Sequence, residues 1–126
     1  MHIPYKTFKI TSPLSKEKTG KYYARFKSRG EVDLRNIAGM ISDMSTISTP
    51  DMIAVIESII ELIPKLALDG YIVKLGDFGS FSISLKSEGV ENEKDFTAGK
   101  IKKASLNYNP GLYIKKKLKN AKYKKI

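Results

Sequence analysis

Cysteine is absent from the 126 residues, and the only histidine is His2. Without cysteine there is no disulfide framework and no thiolate metal site, and a reducing cytoplasm is the compartment that fits. A single histidine at the terminus leaves too few ligands for zinc and no evident catalytic pair, so neither a metal, a cofactor nor an enzymatic activity is expected. No apolar run approaches the roughly 20 residues needed to cross a bilayer. The opening segment MHIPYKTFKITS also lacks the apolar stretch of a secretory signal. Acid is missing from one place in particular: residues 101–126 hold nine lysines and neither Asp nor Glu.

What is present is a chain that can fold. Hydrophobic residues make up 41%, too many for a disordered tail. Lys and Arg number 23 against 13 Asp and Glu, for a formal charge of +10. The charge is unevenly spread, at +7 over residues 1–30, −5 over 31–70, −1 over 71–100 and +9 over 101–126. Cationic ends around an acidic middle point to a polyanionic partner, because clustered Lys and Arg gain free energy by releasing counterions from phosphates. A lysine-rich solubilising surface has the same composition.

Along the chain, YKTFKI (Tyr5–Ile10) and KYYARFKSR (Lys21–Arg29) alternate bulky residues with cations on either side of the turn-rich TSPLSKEKTG, which predicts a basic β-hairpin. An isolated hairpin is marginal in water. Its face carrying some of Tyr5, Phe8, Tyr22, Tyr23 and Phe26 therefore needs something to dock on. Asp33 caps a predicted helix with Leu34, Ile37, Ala38 and Ile41 on one stripe. A second helix runs from Asp51 to about Leu68, with Thr49 as cap, Pro50 in the first turn and a stop at Asp69-Gly70. Pro64 inside it removes one hydrogen bond and predicts a kink. This helix is apolar around most of its circumference, more than so small a domain can cover, and a second copy of the chain is the economical way to bury it. Tyr71–Ser87 reads as two short strands broken at Gly76-Asp77, residues 88–100 as a polar loop and Ile101–Asn109 as a returning strand. A short, very basic helix follows Pro110, with Asn109 as its cap. The class is α+β.

The stretch KLGDFGSF (Lys74–Phe81) contains Asp-Phe-Gly, the magnesium-binding triplet of protein kinases, but no Gly-rich loop, strand lysine or catalytic loop accompanies it. Together with the element order and NYNPGLYIKKKL near the end, it resembles instead the HU/IHF family of bacterial histone-like DNA-binding proteins, in a divergent Bacteroidetes-type branch with an N-terminal extension. Asp77-Phe78-Gly79-Ser80-Phe81 matches the family's Gly-Phe-Gly-x-Phe turn after the second helix, with Asp in place of the first Gly. Tyr108-Asn109-Pro110-Gly111 and Lys115-Lys116-Lys117 match its aromatic-x-x-Gly and Lys-rich last helix. The resemblance spans about residues 31–126 and leaves residues 1–30 as a basic hairpin extension.

The resemblance implies an intertwined homodimer with a helical base, a β-sheet saddle and two β-ribbon arms, here about residues 82–109. It also implies a cytoplasmic, nucleoid-type role and largely sequence-independent binding of duplex DNA through phosphates. The phosphate candidates are Lys74 at the saddle, Lys86, Lys100, Lys102 and Lys103 on the arm, and Lys115, Lys116, Lys117 and Lys119 on the last helix. Phe78 and Phe81 are expected in the core that two subunits share. The chain departs from the family at the arm tip. The Arg-Asn-Pro-x-Thr-Gly signature is missing, no proline occurs between Ser80 and Asn109, and Glu88, Glu91, Glu93 and Asp95 surround Val90 and Phe96. Either Val90 or Phe96 acts there as an apolar wedge, or the tip does not enter the groove; repulsion of carboxylates by phosphates favours the second, with Phe96 packed on the arm or the hairpin, and leaves DNA bending open. A second reading keeps the HU-like dimer as a structural or protein-interaction module that has lost DNA wrapping, with a possible protein partner at the N-terminal hairpin. A membrane partner is not expected, since the last helix lacks a broad apolar face.

Overall fold

The computed structural model describes residues 1–11 and 20–126, so residues 12–19, the centre of the predicted hairpin loop, lie outside the described set. It is a mixed α+β chain of three helices and two three-stranded sheets. The chain divides into two compact units, one formed by Met1–Asp33 with Lys117–Ile126 and the other by Leu34–Lys116.

In the first unit, β1 (Ile3–Ile10) and β2 (Lys21–Phe26) pair antiparallel from Tyr5↔Phe26 to Ile10↔Lys21. The two runs were legible as strands because cations alternate with rings and β-branched residues. The predicted hairpin acquires a third strand from the far end of the chain. β6 (Tyr123–Lys125) lies parallel to β1, giving the order β2-β1-β6. Its two ends are tied by the Ile3 amide donating to the Lys122 carbonyl at 2.8 Å and the Ile126 amide donating to the Tyr5 carbonyl at 3.0 Å.

In the second unit, α1 (Leu34–Met44) begins directly after Asp33 and packs on α2 (Thr49–Leu68). The cap of α2 is Ser48 rather than Thr49. Ser48 holds φ −69° and ψ 155°, and its Oγ accepts from the Asp51 amide at 3.2 Å, so Thr49 becomes the first helical residue ahead of Pro50. The helix continues through Pro64, although Pro64 has no N–H to give the Ile60 carbonyl. It ends as expected at Asp69-Gly70. Gly70 takes φ +97°, its amide donates to the Ala67 carbonyl at 3.0 Å, and the Tyr71 amide reaches back to the Leu66 carbonyl at 3.1 Å. These two bonds satisfy carbonyls that the last turn would otherwise leave orphaned. No helix among the described residues is long and apolar enough to cross a membrane.

The second sheet has the order β3-β4-β5, from β3 (Val73–Lys74), β4 (Gly79–Ser87) and β5 (Ile101–Pro110). Asn109 and Pro110 belong to β5 rather than to a helix start. α3 (Leu112–Lys119) begins after Gly111, whose carbonyl accepts the Lys115 amide at 2.9 Å.

The KLGDFGSF stretch makes the junction between β3 and β4. Gly76–Phe78 form one 3₁₀ turn, closed by the Phe78 amide donating to the Leu75 carbonyl at 3.1 Å, and the Leu75 amide donates across the junction to the Gly79 carbonyl at 2.8 Å. Gly79 has φ +129°, and an added Cβ there would overlap the Asn109 carbonyl oxygen and the Gly111 nitrogen. A Cβ on Gly111 would overlap the Asp77 carbonyl. Two backbone segments thus touch where only glycine fits. The Phe78 carbonyl accepts both the Gly111 amide at 3.2 Å and the Tyr108 hydroxyl at 2.7 Å. The Phe78, Phe81 and Tyr108 rings gather at centroid distances of 6.1, 5.2 and 5.2 Å, and such pairs add roughly 0.5–1.5 kcal/mol each beyond area burial.

The single chain has almost no core. Among the described residues the buried hydrophobics are Ala38 and Ala67, while Ile60, Leu62, Leu68 and Phe78 are each at least half exposed. The apolar sides of α1, α2 and the second sheet are therefore left uncovered.

Candidate nucleic-acid interface

Strand alternation splits the second sheet into two chemically distinct faces. Val73, Phe81, Ile83, Leu85, Ala104, Leu106 and Tyr108 share one face by the register of the three strands. The opposite face carries Lys74, Ser80, Ser82, Ser84, Lys86, Lys103, Ser105, Asn107 and Asn109. No acidic residue stands on this second face. All of its side chains can donate hydrogen bonds, and all are small except the lysines, which suits a surface that meets phosphate oxygens without blocking a wide polyanion.

Lysines mark the two ends of this face. At the inner end, Lys74 and Lys115 border a shallow open depression of about 360 Å³ that also includes Ser80 and Asn109 and is floored by the Gly79–Gly111 contact. At the outer end, Lys86 and Lys103 are direct cross-strand partners. Like charges in opposed positions destabilise a ladder by a few tenths of a kcal/mol or more. Among the described residues neither lysine is ion-paired with a carboxylate. The arrangement is unfavourable by itself and favourable with an anion above it.

The remaining candidates are placed differently. The register passes from Lys86↔Lys103 to Ser87↔Ile101, so Lys102 is the extra residue of a bulge. Its Nζ lies 3.6 Å from Glu88 Oε1, an exposed pair of small energetic weight that nonetheless offsets its charge. Lys100 ends a 3₁₀ turn, Ala98–Lys100, beside the acidic loop, and its carbonyl accepts the Glu88 amide at 2.9 Å. Lys115 and Lys116 lie on α3 within the second unit, whereas Lys117 and Lys119 fall in the first. At the tip, Glu93–Asp95 form another 3₁₀ turn and Phe96 is partly exposed. Among the described residues no cluster of three or more His, Asp or Glu could hold a metal ion.

A helical pair followed by a glycine-hinged sheet, a two-stranded ribbon and a short basic helix is the HU-type arrangement. The comparison with protein families agrees. The model of HU-HIG, described as an HU domain fused to wHTH, Ig or a glycine-rich motif, matches residues 1–125, and the chain belongs to that family. The match includes the first thirty residues, which the motif resemblance did not reach. Among solved structures, a crystal structure described as a "Putative bacterial DNA binding protein" from Bacteroides vulgatus superposes with a TM-score of 0.64 at 12% identity. The superposition covers 98% of this chain and 48% of that one, so the chain spans about half the length of that neighbour. At this identity the likeness concerns the fold. No curated protein matches the sequence.

Proposed function

We propose that the chain is a homodimeric, nucleoid-type DNA-binding protein that holds duplex DNA through phosphate contacts, largely without regard to sequence. The observation that carries this reading is the acid-free face of the second sheet, with Lys74 and Lys115 at one end and the opposed Lys86–Lys103 pair at the other. A surface of Lys, Ser and Asn provides donors and charge for phosphate oxygens but no fixed pattern for base edges, so affinity follows backbone charge and deformability. Membership in the HU-domain family and the DNA-binding description of the structural neighbour support the same reading.

The dimer follows from burial. A chain whose buried hydrophobics among the described residues are two alanines has little to offset its conformational entropy alone. A second copy meeting the apolar sides of α1, α2 and the sheet would supply the missing core, with residues 31–126 as the DNA-binding domain, the helices as base, the sheet as saddle and residues 82–109 as arm. Phe78 and Phe81 then belong to the shared core. The acidic tip stays outside the groove, and Lys102, already paired with Glu88, contributes less than Lys86 and Lys103.

The test is fluorescence anisotropy of a labelled mixed-sequence duplex over a series of salt concentrations, with sedimentation equilibrium on the protein alone. The expected result is a dimer at micromolar concentration. Log affinity should fall by about 0.9 per decade of salt for each neutralised phosphate, with the same slope on unrelated duplexes. Absence of duplex binding at low salt by a folded dimer would favour the second reading, an HU-fold interaction module. One observation already bears on that alternative: the second unit as a whole holds ten basic and ten acidic residues.

A further inference from the structure

The formal charge of +10 is not shared between the two units. Residues 34–116 carry ten Lys and Arg and ten Asp and Glu, whereas residues 1–33 with 117–126 carry thirteen and three. The whole excess of positive charge therefore resides on the unit built around the β2-β1-β6 sheet.

The rings of that sheet engage one another on one face and stand open on the other, and neither face carries an acid among the described residues. On the first face the Arg25 guanidinium lies 4.1 Å over the Phe8 ring and Phe8 meets Tyr23 at 6.2 Å, so cation and rings engage one another although Tyr23 stays 47% exposed. The register puts Ile3, Tyr5, Lys9, Tyr22, Phe26, Tyr123 and Lys125 on the other face, which carries no acid. Its three outermost rings are left open, with Tyr22 69%, Phe26 68% and Tyr123 67% exposed. Lys9 Nζ stands 5.9 Å over the Tyr22 ring, placing a cation beside a stacking surface. Tyr22 and Phe26 are four residues apart on one strand, about 13 Å at 3.3 Å per residue. That is too far for one base to bridge, so each ring can take a separate base.

From this we infer that the open face of the β2-β1-β6 sheet is a binding platform for single-stranded nucleic acid, separate from the duplex surface on the other sheet. Rings interleaved with lysines match a ligand that presents flat π-faces and phosphates in alternation. A duplex does not fit the pattern, because its bases are stacked on one another and offer no face to Tyr22, Phe26 or Tyr123. An apolar protein surface would use the rings and leave Lys9 and Lys125 without counter-charge. The platform's charge complementarity is to a polyanion, and its rings select the unpaired form.

The test uses the full chain and a labelled 12-nucleotide oligo-dT, which forms no secondary structure. The protein should bind it, and Tyr22→Ala with Phe26→Ala should weaken that binding at least 30-fold while duplex affinity changes less than twofold. The salt slope should stay the same because no charge is removed. Equal loss on both ligands, or no loss in a folded variant, would overturn the platform, as would failure of the native protein to bind oligo-dT at low salt. A milder variant reads the same site without risk to the fold. The chain has no tryptophan, so Phe26→Trp places a single reporter on the face. Oligo-dT should quench its emission at least twofold, and heparin, a polyanion without bases, should not. Unchanged emission, or equal quenching by both, would overturn it. Because duplex binding is measured in parallel, failure of the platform and failure of the proposed duplex function give different results.

Discussion

Replacing Lys86 and Lys103 by glutamine separates binding from stability in a way that a merely solubilising lysine surface could not reproduce. The two side chains are opposed across the β4–β5 ladder with no carboxylate partner among the described residues. Their removal relieves like-charge repulsion, and the fold should be unchanged or more stable by a few tenths of a kcal/mol. In a homodimer the substitution removes four cations. If each neutralises one phosphate, the slope of log affinity against log salt becomes shallower by about 3.6, at 0.9 per contact. At ~0.1 M salt the same relation makes each contact worth nearly tenfold, so affinity falls by up to roughly 10³–10⁴. The assay is duplex anisotropy at four or more salt concentrations, with thermal unfolding of the same preparation. A folded variant with an unchanged slope would refute the placement of phosphate at this end of the sheet. A variant that lost both affinity and several degrees of melting temperature would show that the lysines are structural.

Three further outcomes are expected. Ile60→Glu, on the uncovered side of α2, should abolish the dimer in sedimentation equilibrium, and a stable dimer in the variant would exclude this side of α2 from the subunit interface. Gly79→Ala should lower the unfolding free energy in urea by at least ~3 kcal/mol, since φ +129° and the overlap with the Asn109 carbonyl act together; a loss below ~1 kcal/mol would mean the junction relaxes freely. Phe96→Ala should leave both duplex affinity and bend angle unchanged, and a reduced bend angle would mean that the tip enters the groove after all.

The helices were legible because an apolar period and end signals coincide in α1 and α2, and the stop at Asp69-Gly70 has the geometry that Gly was expected to supply. The shift of the α2 cap by one residue reflects two adjacent hydroxyl residues, Ser48 and Thr49, either of which can accept the orphan amides. Asn109-Pro110 misled for a different reason. The pair reads as a helix start, but β4 extends far enough to pair Gly79 with Pro110, and Pro tolerates a strand end where no N–H is needed. β6 left no signal at all. Three residues, Tyr123–Lys125, in a lysine-rich tail have no period to read, and only the backbone of β1 defines them as a strand. At the site, the sequence marked Lys102 and Lys103 as equivalents. The bulge after Lys86 separates them, turning one into the partner of Glu88 and the other into the partner of Lys86, and a bulge is a property of two strands together.

Net charge is therefore a poor guide to the proposed duplex surface in this chain. The unit that carries α1, α2 and the second sheet is formally neutral, yet its acids lie on the two helices, at the α2 C-cap Asp69, in the 3₁₀ turn at Asp77 and in the segment Glu88–Asp95. The polar side of β3-β4-β5 has none. With a screening length of about 10 Å at 0.1 M salt, a phosphate held on that face would be governed by the charges nearest to it, which on the face and its inner border are Lys74, Lys86, Lys103 and Lys115. The first unit is the opposite case, with thirteen basic residues against three acidic, and so is expected to attract any polyanion at low salt. What would select the proposed single-stranded ligand there is the set of open rings at Tyr22, Phe26 and Tyr123. Charge sets how steeply each surface responds to salt, and the groups between the charges set what it holds. Raising the salt should accordingly weaken both modes, while removing rings should weaken one and replacing Lys86 and Lys103 the other.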